Sequence, residues 1–159
     1  MIEKLSLVDA ILLSVARETQ SHEFYTLLAN SMHQPESAAK IRNLAEMESV
    51  HRREAIKLFR KLTGSDPDIS KIKLQPYPAI PKNDANIYVV LDFAAEKEKD
   101  AYEFYQELAK KAEDAGTRKM FLGFSREEME HCNLLNAEAA ALRGLMSGES
   151  IQESSGMEY

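Results

Sequence analysis

The chain has 159 residues, 44% hydrophobic and 29% charged, with a formal net charge of −6. Such a length and composition indicate one folded domain with a real core rather than a disordered chain. The acidic balance disfavours nucleic acid and anionic membrane as partners. The single cysteine, Cys132, excludes an intrachain disulfide and any four-cysteine metal module.

The apolar run AILLSVA near the start is too short to span a bilayer and is followed by Arg17, Glu18 and His22. A cytoplasmic location with a reduced thiol is therefore expected. Read at steps of three and four, Val8, Ile11, Val15, Glu18, His22, Tyr25, Ala29 and Met32 form a first helical stripe, with Ser6 as N-cap and Asp9 three residues on. A second stripe runs Ile41, Leu44, Glu48, His51, Ala55, Leu58, Leu62. Pro35 and Glu36 suit its first turn, and Gly64 can end it. A third runs Tyr88, Leu91, Ala95, Glu98, Tyr102, Tyr105, Ala109, Ala112, with Asn83 or Asp84 as cap and Gly116 as stop. The fourth runs Phe121, Phe124, Glu128, His131, Leu135, Glu138, Leu142, Leu145, with Thr117 as cap. No segment alternates with period two over a strand's length. The expected fold is all-α with four long helices.

Roughly four to six residues join the first two helices and about two or three join the last two, so each pair is an antiparallel hairpin. Between the hairpins, residues 64–84 hold four of the five prolines and cannot be helical throughout. A helix of about 25 residues is about 38 Å long, a distance that some twenty extended residues can travel at ~3.3 Å each. The segment reads as an end-to-end crossover that leaves helices two and three parallel. Residues 1–145 then form one bundle and residues 146–159 a polar C-terminal tail.

The hairpins repeat at an offset of 80. Glu18 matches Glu98, Tyr25 matches Tyr105, Glu48 matches Glu128, His51 matches His131, and HEFYTLLA (22–29) resembles YEFYQELA (102–109). Repeats of this kind pack with approximate two-fold symmetry, which gathers the matched positions around one axis. Four glutamates on apolar stripes cannot stay ionised in one core without compensation, because burying an unpaired charge costs several kcal/mol. Two divalent cations would neutralise them, with His51 and His131 completing the shells. An oxygen-rich set with two nitrogens suits iron or manganese better than zinc or copper(I). Within each Glu-x-x-His pair the two side chains share a helix face. His22 reads as a hydrogen-bond partner of a ligand or as packing, because its repeat mate is Tyr102. Cys132 turns away from the stripe and reads as a packed small residue.

These paired Glu-x-x-His helices, over roughly residues 5–145, resemble the rubrerythrin branch of the ferritin-like superfamily, in its short form made of the four-helix domain alone. The resemblance implies a ferritin-like bundle, a di-iron centre with Glu18, Glu48, His51, Glu98, Glu128 and His131 as ligands, and tyrosines Tyr25 and Tyr105 beside the carboxylates. It implies hydrogen peroxide or oxygen as oxidant and commonly a homodimer. Rubrerythrins proper also carry a rubredoxin module, which has no counterpart in these 159 residues, so a separate donor such as a rubredoxin-like protein is expected. They carry an additional carboxylate where this chain has Ala101, repeat mate of Ser21. A nearly two-fold symmetric centre is therefore expected. Peroxide reduction is the leading reading. Ferroxidase activity and a non-catalytic metal-binding bundle are the alternatives.

Overall fold

The computed structural model describes residues 2–82 and 86–155, with side chains as far as residue 144. After a short 3-10 turn at Ile2–Lys4, α1 spans Leu7–Ser31, α2 Pro35–Thr63, α3 Ile87–Lys111 and α4 Ala115–Ser155; no strand occurs among the described residues. The connections within the hairpins, residues 32–34 and 112–114, are three residues each, too short for anything but antiparallel neighbours.

The capping chemistry explains most helix boundaries. Ser6 accepts the Asp9 amide at 3.1 Å and opens α1. Pro35 stands in the first turn of α2, where its missing N–H costs nothing. Gly64 ends α2 at φ 73, in the left-handed region that a residue without Cβ enters freely, and its N–H bonds the Arg60 carbonyl at 2.8 Å. The start of α4 differs from the expectation. Asp114 takes both the Thr117 amide, at 2.8 Å, and the Thr117 hydroxyl, at 2.7 Å. Thr117 thus lies inside the first turn, and Gly116 belongs to α4 rather than closing α3. Asn83 and Asp84, the expected caps of α3, lie outside the described residues. With no proline after Ala115, α4 continues to Ser155, through most of the segment read as a polar tail.

Two apolar clusters fill the ends of the bundle. One gathers Phe24, Tyr25, Leu28, Leu44, Leu91 and Leu135; the other gathers Ile11, Val15, Phe59, Tyr105, Leu108 and Phe121. The first takes the late parts of α1 and α4 and the early parts of α2 and α3, so α2 and α3 run parallel, as the crossover requires. Leu28, Leu91, Leu108 and Leu135 are fully buried, and truncating any of them to alanine would cost ~2–5 kcal/mol. The crossover lies along the bundle. Ile69 packs on the second cluster, the Gln75 carbonyl accepts from Gln20 at 2.7 Å, and Tyr77 stacks on Phe24 at 4.2 Å between centroids. This is an all-α ferritin-like bundle of two hairpins.

Candidate metal centre

A polar layer separates the two apolar clusters. Glu18 comes from the middle of α1 and Glu98 from the middle of α3. Glu48 and His51 lie a turn apart on α2, and Glu128 and His131 do the same on α4. None of the six is more than 3% exposed. They assemble as two overlapping groups, Glu18–Glu48–His51–Glu128 and Glu48–Glu98–Glu128–His131, within each of which one ligand atom per residue lies within 4.8 Å of the others. Glu48 and Glu128 belong to both groups. The six residues that the sequence singles out therefore meet in one place.

Both imidazoles turn Nδ1 inward. That of His51 is 2.7 Å from Glu128 Oε1 and 3.6 Å from Glu18 Oε1. That of His131 is 3.1 Å from Glu48 Oε1, 3.7 Å from Glu128 Oε2 and 3.8 Å from Glu98 Oε2. Glu18 Oε2, His51 Nδ1 and both Glu128 oxygens are buried without a properly oriented hydrogen bond. Buried polar atoms are almost always satisfied. A cluster of orphaned, cation-binding atoms at the centre of a stable fold fits divalent metal ions.

Two tyrosines tie the hairpins together across this layer. Tyr25 on α1 donates to Glu98 Oε1 at 2.5 Å, and Tyr105 on α3 donates to Glu18 Oε1. Ser14 lies 2.8 Å from the Tyr105 hydroxyl. Burial pushes both phenols well above their usual range, so they remain donors.

Left to itself, the cluster balances its charge with protons. Burial, then the charges of Glu48 and Glu128, push Glu18 well above the carboxylate range; burial, then Glu128 and Glu48, do the same to Glu98. Glu128 is raised as well, chiefly by burial. For Glu48 burial acts upward but is outweighed by hydrogen bonds with Glu18 and His131, which hold it at about 2. Burial alone would lower both imidazoles. Glu18 and its neighbours instead raise His51 to about 9, and Glu128, Glu48 and Glu98 raise His131 to about 12.

The ligand atoms follow the two-fold repeat, but their surroundings do not. Ser21 donates to Glu48 Oε2 at 2.9 Å, whereas its repeat mate Ala101 has no donor for Glu128. Behind His51, Nε2 meets Glu127 Oε2 at 2.5 Å; behind His131, Nε2 meets Met47 Sδ at 3.4 Å. Glu127 and Met47 are themselves repeat mates. This divergence hid Glu127 from a reading based on matched positions.

His22 and Tyr102 make hydrogen bonds to groups other than the six ligands. His22 Nδ1 bonds the Ala45 carbonyl at 2.7 Å, and the Tyr102 hydroxyl accepts from Gln106 at 2.8 Å. Both lie one turn past the ligand glutamates; His22 reaches α2, while the Tyr102 hydroxyl bonds a residue of its own helix. Cys132 is packed, and burial raises its thiol pKa, which makes it a poor nucleophile.

A cavity of about 370 Å³ leads to the centre between α1 and α3. Its floor is Glu18, Glu48, Glu98 and Glu128; Ser21, Ala101, Phe104 and Tyr77 form walls, and Arg17 and Lys97, another matched pair, also line it. The cavity includes the position where the expected carboxylate gives way to Ala101. No helix among the described residues is long and apolar enough to cross a membrane.

Comparison with known proteins agrees with this geometry. The chain is similar to a hypothetical protein from Pyrococcus furiosus, 26% identical, with a TM-score of 0.81 over 91% of this chain and 96% of that one. No protein of curated function matches. The family model described as Rubrerythrin matches residues 9–139, a span that contains all six buried ligand candidates. With that match over most of its length and two Glu-x-x-His helices facing two further glutamates, the chain belongs to the rubrerythrin family.

Proposed function

We propose that this chain is a non-haem di-iron oxidoreductase that reduces hydrogen peroxide to water with electrons from a separate, rubredoxin-like donor. The observation that carries the reading is the pair of overlapping ligand groups sharing Glu48 and Glu128, with their unsatisfied oxygens on the floor of an open cavity. Two iron ions, one in each group, would supply the two electrons that convert a peroxide and two protons into two waters; manganese suits the same donors.

The chain's own residues do the rest. Glu48 and Glu128 would serve both ions, while Glu18 with His51 and Glu98 with His131 would each hold one. Tyr25 and Tyr105 fix the terminal carboxylates by hydrogen bonds that survive any working pH, because both phenols stay protonated. Phe124 packs against the His51 ring and Phe24 against Tyr25, on the apolar sides of the layer. The cavity admits a small oxidant to the carboxylate face while the histidines lie behind it. A homodimer in the cytoplasm belongs to the same reading.

Ala101 favours a second reading. Without a further carboxylate at that position the centre has fewer ways to rearrange between oxidation states, which suits a ferroxidase that oxidises iron(II) with oxygen. Anaerobic reconstitution with iron(II), followed by parallel challenge with peroxide and with oxygen, separates the two. Rapid oxidation by sub-stoichiometric peroxide, much faster than by oxygen, is expected. Preference for oxygen with turnover of excess iron would replace the peroxidase with the ferroxidase, and the absence of any metal-dependent redox cycle would leave a binding protein.

A further inference from the structure

The two halves of the centre have matching donors, three carboxylates and one imidazole each, but different supports. An imidazole that binds a cation through Nδ1 must carry its proton on Nε2. The acceptor of that N–H therefore fixes the tautomer, holds the ring plane and adds to the basicity of Nδ1. For His51 the acceptor is a carboxylate oxygen, Glu127 Oε2, at 2.5 Å. For His131 it is a thioether sulfur, Met47 Sδ, at 3.4 Å, a weak acceptor with no charge. The His51 ring is pinned a second time, stacked on Phe124 at 4.2 Å between centroids and 28° between planes. The Ser21 hydrogen bond falls on Glu48, which both groups share, so it does not favour either half.

We propose that Glu127 is a positioning residue that makes the centre unequal: Glu18–Glu48–His51–Glu128 takes the first divalent cation, and Glu48–Glu98–Glu128–His131 takes the second. This rests on the reading of the cluster as a dinuclear site and adds an order of filling to it. Glu127 is itself 41% exposed at the side chain, yet its oxygen reaches an imidazole that is 1% exposed. Supports of this kind change metal affinity by about 10–100-fold, and a separation of that order between the first and second equivalents is expected.

The test is titration of the metal-free chain with cobalt(II), followed by calorimetry and by the ligand-field absorption of each bound ion. Wild type should bind in two steps separated by about 10–100-fold. Glu127→Ala should weaken the tighter step by about that factor and leave the weaker step in place, so that the steps merge. Glu127→Gln, which keeps an acceptor without the charge, should recover part of the loss. Met47→Leu should leave both steps within about twofold, since a weak acceptor is all it removes. At one equivalent, the paramagnetically shifted imidazole N–H should exchange slowly with water in wild type and be lost in Glu127→Ala, a signature that a merely structural role would not move. Unchanged melting of the metal-free Glu127→Ala chain confirms that it folds. Equal affinity for both ions in wild type, or Glu127→Ala weakening both steps alike or neither, overturns the proposal. Fewer than two equivalents in wild type would overturn the dinuclear reading and this order with it, whereas two equivalents indifferent to Glu127 would overturn the order alone.

Discussion

Tyr25 on α1 donates its hydroxyl to Glu98 on α3 at 2.5 Å, so a carboxylate of one hairpin is held by a phenol of the other. The matched bond from Tyr105 to Glu18 runs the opposite way. Tyr25→Phe should leave Glu98 without its donor and destabilise the chain by ~1–3 kcal/mol, the cost of stranding a buried polar group. Metal held by the His131 group should weaken more than metal held by the His51 group, with the reverse for Tyr105→Phe. Melting curves and metal titrations of both variants would show it. Equal effects on both groups would mean that the phenols pack rather than orient.

Glu128 should be required for a full complement of metal. Both its oxygens are buried and unsatisfied, and it belongs to both ligand groups. Glu128→Ala should lose most of the second metal, while Glu130→Ala, two residues on and exposed, should lose none. Elemental analysis after reconstitution decides between them, and matched losses would remove Glu128 from the centre.

The metal-free chain should lose stability as pH rises. Glu18, Glu98 and Glu128 are raised by burial, His51 to about 9 and His131 to about 12 by neighbouring carboxylates. The folded state therefore binds more protons than the unfolded state across the neutral range, and the stability slope with pH is negative. The histidine contribution is complete below the usual imidazole value of 6.5 and fades as pH climbs through 9. Glu48, held at about 2, acts the other way, but its contribution is already complete above the usual 4.5. Melting temperatures from about pH 6 to 9 should fall without metal. With iron or manganese bound they should recover towards high pH, because the metal competes with those protons. A rise without metal would contradict the buried cluster.

Glu138 is a different kind of buried acid. It lies two turns beyond His131 on α4, accepts from Ser37 and Lys40 at 2.8 Å each, and links α4 to α2. Its repeat mate is Leu58. Glu138→Leu should lie within about 1 kcal/mol of wild type, because the partner it leaves, Lys40, is 55% exposed at its side chain and returns to water rather than being stranded. Ser37→Ala should cost ~1–3 kcal/mol by leaving the carboxylate short of a donor. Chemical denaturation of the two variants checks the contrast, and a large loss in Glu138→Leu would show that the ion pair itself holds the helices.

The stripes, the hairpins and the six acids and histidines were legible in the sequence because each follows from helical spacing and from the match between halves. What escaped notice lies where the halves differ. Glu127 sits one residue before Glu128 and projects from α4 to a histidine on α2, a contact that no periodicity encodes and that its mate Met47 echoes with a thioether sulfur in place of a carboxylate. His22 shows what a stripe alone leaves open. It shares the stripe with Glu18, but one more turn carries it to the Ala45 carbonyl. The start of α4 depended on which of two good capping residues came first, and Asp114 took the role from Thr117.

The repeat has a consequence for how such a centre can be specified. Residues 7–63 contain Glu18, Glu48 and His51, and residues 87–155 contain Glu98, Glu128 and His131. A polypeptide encoding one hairpin, paired with a copy of itself, would already present all six ligands. Its two halves would be bound to stay identical, because one gene would write both. Joined end to end by the crossover, the two halves can differ one residue at a time, as they do at Met47 and Glu127 and at Ser21 and Ala101. The tether thus frees each side of a shared centre to be tuned separately.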